Sequence, residues 1–151
     1  MQVDPRGQRF AALLSTVVLA VILLTGSGSL LAAQTLVFAT GALLGLQYAP
    51  YGLLFRWLVR PRLGPPAELE PAAPPRFAQA VGTVFCAVGV AGYATGVTAL
   101  GIVATAAALA AAFLNAAFGY CVGCEVYLLI RKFWPSRHGR LSADPDKEVP
   151  A

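Results

Sequence analysis

Cys121-Val122-Gly123-Cys124, followed at once by Glu125, is the stretch whose residue types and spacing offer chemistry. Two thiols three positions apart read as a redox dithiol, as half of a zinc site, or as two small apolar residues sharing a helix face. Zinc needs about four ligands. The one histidine, His138, lies in the C-terminal tail, so Cys86 and Glu125 would have to complete a shell. We expect no metal and no cofactor. The dithiol and packing readings stay open side by side. Gly123 permits the tight backbone that a bridged CxxC needs. Glu125 closes a long charge-free block, and a carboxylate in or beside a membrane span is costly enough to mark a functional candidate. Its plainer reading is an interfacial carboxylate paired with Arg131 or Lys132. The catalytic candidates are therefore Cys121, Cys124 and Glu125, with Cys86 and Asn115 as secondary ones. Asn115 and Gln34 read first as interhelical hydrogen-bonding groups. No Ser/His/Asp set, phosphate loop or HExxH is present, which leaves hydrolase and nucleotide-binding readings without support.

The elements that must position these residues follow from composition. Of 151 residues, 58% are apolar and 12% charged, against about 45–50% and about 25% in soluble domains. That balance excludes a disordered chain and leaves too few polar residues to coat a soluble enzyme. No Lys, Arg, Asp or Glu occurs between Arg9 and Arg56, or between Arg76 and Glu125. A bilayer core takes about 20 helical residues, so each block is long enough for two crossings. Gly26-Ser27-Gly28-Ser29 divides the first block, and Gly92, Gly96 and Gly101 cluster in the middle of the second. The spans fall at about residues 10–26, 29–48, 77–96 and 100–120. The competing reading of the N-terminus, a signal peptide, would leave three spans unexplained.

Between the blocks, YGLLFRWLVR places Arg56 and Arg60 on one face, with Trp57 at headgroup level. We expect a short interfacial helix at about 51–60. RLGPPAELEPAAPPR reads as an extended connector. A second interfacial helix is expected at about 124–134 and a disordered cytoplasmic tail over 135–151. With four spans, all 11 basic residues lie on one side, and the positive-inside rule makes that side cytoplasmic, with both termini there in a plasma-membrane protein. The arginines are accounted for by topology, so no nucleic-acid partner is implied. The expected fold is all-α: an integral membrane antiparallel four-helix bundle with a short interfacial helix between spans two and three.

Lipid is as apolar as leucine, so small residues must bring the helices together. Gly41/Gly45 and Gly92/Gly96 are GxxxG pairs, Ala78, Gly82 and Cys86 recur every four residues, and span four is alanine-rich on every face. These faces also allow a homo-oligomer. Depth depends on span four. Run unbroken to Ile130, it would put Cys121 about 15 Å deep, level with Cys86. Broken near Gly119 or Gly123, it puts the CxxC at the interface and Cys86 out of disulfide reach. We favour the broken form because it keeps Glu125 near water.

Val3-Asp4-Pro5-Arg6, Arg9-Phe10, RFAQAVG at 76–82 and Cys121-Val122-Gly123-Cys124-Glu125 together resemble one bacterial membrane family, domain of unknown function 4395, common in actinobacteria. The resemblance covers roughly residues 3–132, with C-x-G-C-E its most specific part. A looser similarity links the chain to small four-span proteins of the DoxX and MauE groups. Family members are often encoded near thioredoxin-like or rhodanese-like proteins. The resemblance thus implies thiol or sulfur chemistry at Cys121, Cys124 and Glu125, with a cytoplasmic protein of one of those kinds as partner. The alternative is a non-enzymatic membrane scaffold or a small transporter subunit.

Overall fold

A computed structural model describes residues 2–66 and 68–134. The tail expected to be disordered lies outside the described residues. Helix α1 (Pro5–Thr25) starts where Asp4 accepts the Arg6 N–H at 2.9 Å and Pro5 fixes the first helical φ. It ends at Gly26, whose φ of 65° is left-handed. Ser27 caps the next helix, α2 (Gly28–Leu43), by accepting the Leu30 N–H. After a short α3 (Pro50–Leu54), a π-helical turn (Phe55–Val59) and a 3-10 turn (Arg60–Arg62), the chain runs to α4 (Ala73–Ala94), α5 (Thr98–Phe118) and α6 (Val122–Phe133).

α4 packs on α2 and α5, and α5 packs on α1. Each of these pairs is antiparallel. α1 and α2, although joined by a tight turn, touch each other much less, and α3 and the π turn contact the start of α1 instead. Leu19, Ile22, Leu31, Phe38, Cys86 and Ala108 form the core. Large apolar side chains face outward on every long helix, including Leu24, Leu43, Val84 and Val103. The polar Ser15, Gln34 and Thr105 are buried instead. That reversal suits a solvent of lipid.

α1, α4 and α5 are long and apolar enough to cross a membrane. α2 is the departure from expectation. The expected span over 29–48 stops at Leu43 after 16 residues, about 24 Å of helix. Gly45, with a φ of 107°, turns the chain out of the helix. The Arg76 guanidinium donates to the free carbonyls of Ala42 (2.9 Å) and Leu43 (3.2 Å) at that end, where a cation also suits the helix dipole.

Two glycines read as packing residues do other work. Gly45 and Gly96 both lie past a helix end with positive φ, so neither completes a GxxxG face. The glycines that do pack meet partners within the chain. A Cβ on Gly82 would lie 3.0 Å from the Phe38 ring, and one on Gly92 would lie 2.6 Å from the Gly101 nitrogen. The connector expected to be merely extended pairs with the N-terminus: Gln2–Val3 (β1) runs antiparallel to Glu70–Pro71 (β2). This pairing, the Arg6 bond to the Gly64 carbonyl and the Arg76 cap gather the start of α1, the end of α2 and the start of α4 at one end of the bundle.

Candidate functional site

The CxxC sits at that same end, where the chain breaks between α5 and α6. Gly119 takes a left-handed φ of 69°, and its N–H donates to the Asn115 carbonyl at 3.0 Å. No side chain with a Cβ adopts that turn cheaply. Two residues later α6 begins with Cys121 as its N-cap, the Sγ accepting the Cys124 N–H at 3.3 Å. Cys121 and Cys124 are bridged, with Cα atoms 5.2 Å apart, inside the range that disulfides occupy. Both cysteines are half-buried.

Gly123 has a different role from the one its position suggests. Its backbone is helical rather than left-handed. A Cβ there would lie 2.6 Å from both Cα and Cβ of Ala78. The glycine therefore lets the first turn of α6 lie directly on α4. One turn further on, Tyr127 meets Phe77 with ring centroids 5.7 Å apart. These two contacts fix the bridge against the start of α4.

Glu125 is exposed in the first turn of α6, where a carboxylate suits the positive end of the helix dipole. Lys132 shares its face but stands about 10 Å further along the axis, and Arg131 projects from another side. Cys86 is a free thiol, fully buried in the core. It lies eight positions beyond Ala78 on α4, about 12 Å from the bridge along that helix. The three thiols therefore do not form one cluster. Among the described residues, no three His, Cys, Asp or Glu side chains gather as metal ligands.

A cavity of about 580 Å³ opens beside the bridge. Cys121 and Gly123 form part of its wall, with Phe38, Gly82, Ala111 and Asn115 among the rest. Sequence reasoning missed it, because its lining comes from α1 through α6 and no contiguous stretch marks it. The available signal was the alanine face of α5. Ala107, Ala108, Ala111 and Ala112 line this space, where the sequence suggested only helix contacts. Gln34 behaves as its type suggests. Its Nε2 donates to Ser15 Oγ at 3.4 Å and its Oε1 accepts from Tyr51 Oη at 2.7 Å, tying α1, α2 and α3 together.

A helical bundle with an apolar exterior, small-residue contacts and a bridged cysteine pair at one end defines a helical membrane protein with a CxxC site. The chain belongs to the family described as domain of unknown function DUF4395, whose model matches residues 3–132. No curated protein and no solved structure matches it.

Proposed function

We propose that the protein is a membrane thiol–disulfide oxidoreductase whose Cys121–Cys124 pair cycles between dithiol and disulfide on the cytoplasmic face. The observation that carries this reading is the bridge at the N-terminus of α6, outside the long apolar helices. A helix N-terminus stabilises negative charge on a sulfur aimed at it, which favours the thiolate that attacks disulfides. Asp4, Glu68, Glu70 and Glu125 are the only acids in the described part, against eight basic residues (Arg6, Arg9, Arg56, Arg60, Arg62, Arg76, Arg131 and Lys132). Those basic residues flank the long helices at the end that holds the bridge, which under the positive-inside rule faces the cytoplasm of the cell membrane. Bridges do not persist passively in that compartment, and those that form there are mostly transient and catalytic. Glu125, one residue from Cys124, takes and returns the proton of the reduced pair. The exchange partner is a thioredoxin-like protein, or a rhodanese-like one if the pair carries sulfur as persulfide.

The test is thiol trapping in intact cells. Acid-quenched cells, alkylated before and after a pulse of a thiol oxidant, should show the pair moving from modified to protected and back. A pair that stays fully reduced throughout, with a Cys121→Ser/Cys124→Ser double variant indistinguishable from wild type in growth under thiol stress, rejects the proposal. Equal partner capture by that double variant would favour a scaffold.

A further inference from the structure

A cycling dithiol needs a second two-electron partner to restore its starting state. We propose that the cavity beside Cys121 binds a lipid-soluble quinone, which oxidises the pair. This inference rests on the dithiol reading and names the substrate of that site. Five observations carry it. The cavity has room for a quinone ring and the first part of its tail, since small-molecule sites run to about 300–1,000 Å³ and this one is about 580 Å³. Much of its wall is apolar, including Phe38, Gly82 and Ala111, a surface that suits a ring and an alkyl tail. Amides at Gln8, Gln47, Gln79 and Asn115, with the Asp4 carboxylate, interrupt that wall, and a quinone presents two carbonyl oxygens that accept N–H bonds from such amides. Arg56 and Arg60 are exposed at the rim and suit an oxygen that gains negative charge on reduction. Cys121, the capping cysteine, is the one that lines the cavity.

The step balances with the quinone as oxidant. The Cys121 thiolate adds to a ring carbon, forming a C–S bond and pushing an electron pair onto a quinone oxygen. The Cys124 thiolate then attacks Cys121 Sγ. The S–S bond forms as the C–S bond breaks, and its electron pair stays on the ring. The two protons released by the thiols end on the two oxygens. One dithiol and one quinone become one disulfide and one hydroquinone.

The experiment uses the full chain, reduced, freed of reductant and held without oxygen in lipid nanodiscs. Decylubiquinone is the probe, because its fully substituted ring has no hydrogen to lose and so resists permanent arylation. We expect one hydroquinone per disulfide formed, at a rate that saturates with quinone concentration. An Ala111→Phe variant puts a bulky ring into the cavity, and its quinone rate divided by its rate with hydroxyethyl disulfide should fall at least tenfold. Should that variant not fold, saturation in the wild-type protein decides the matter alone. Oxidation by hydroxyethyl disulfide but not by decylubiquinone, or a quinone rate that rises linearly without saturating, overturns the quinone site and leaves the dithiol reading standing. A pair that neither reagent oxidises overturns both.

Discussion

The two sulfurs of the CxxC and the third at Cys86 carry the same chemistry in two different settings. Cys121 accepts an N–H at a helix start and lines a cavity, while Cys86 has no exposed surface. In the reduced, folded protein we expect Cys121 to react with maleimide at least tenfold faster than Cys86, because reactivity follows thiolate content and access. Mass mapping of timed samples measures this, and denaturation in dodecyl sulfate should erase the difference. Equal rates before denaturation would contradict the buried placement of Cys86. Gly123 offers a second test. Gly123→Ala puts a methyl where Ala78 already lies, and overpacking of this kind costs about 1–3 kcal/mol. α6 should lift from α4 while Cys121 and Cys124 remain in sequence. Faster cleavage of α6 by trypsin at Arg131 and Lys132 would report that loosening, and an unchanged cleavage rate would show that α6 is not held by this contact.

Elements differ in how plainly the sequence announced them. Charge-free blocks marked where α1, α4 and α5 lie, because lipid excludes charge over a whole span. A break near Gly119 or Gly123 was one of two forms the sequence allowed, and its place at Gly119 was not legible, because both glycines permit a turn. The early end of α2 was not legible. Gly41 and Gly45 have the spacing of a packing motif, and spacing alone does not say that Gly45 adopts a positive φ. The capping of α2 by Arg76 joins residues more than thirty positions apart, so no local pattern carries it. The same holds for the two-residue strands and for the cavity. Gln34 was legible as an interhelical group, but its partners Ser15 and Tyr51 were not. Tyr51→Phe should leave Gln34 Oε1 short of a donor and cost about 1–2 kcal/mol, read as a lower Tm in detergent. It also carries a pH signature. Burial, opposed by the Gln34 hydrogen bond, raises the Tyr51 pKa above its ordinary value. The unfolded chain therefore loses this proton first. The contribution is complete below about pH 10 and declines as pH rises through the folded value. The gap in Tm between wild type and Tyr51→Phe should narrow above about pH 10, and a gap that widens there would contradict the half-buried, hydrogen-bonded phenol.

At the scale of the whole molecule, the chain places its chemistry at the end where its arginines gather. The N-terminal strand, the Arg76 cap, the π turn and α6 all meet there, while among the described residues the opposite end holds the tight turns at Gly26-Ser27 and Thr95-Gly96. Such an arrangement is stable in one orientation, because moving several arginines across a bilayer costs a few kcal/mol for each. α2 is the element on which the topology turns, since its 16 residues fall just short of the usual spanning range of about 17–25. We propose that it crosses with α4: its outer face, including Leu36 and Leu43, is apolar, it packs along α4, and a slight thinning of the bilayer would cost only fractions of a kcal/mol per Å. Single cysteines introduced as Ser27→Cys, Leu63→Cys and Thr95→Cys, in a chain whose own three cysteines are replaced by serine, test this directly. A membrane-impermeant maleimide applied to intact cells should label the first and third and leave the second, which should react only in inverted vesicles. Labelling of Leu63→Cys from outside would reverse the orientation and put the CxxC in a different redox compartment. Protection of Ser27→Cys from outside, with Thr95→Cys labelled there, would mean that α1 and α2 do not form a transmembrane hairpin.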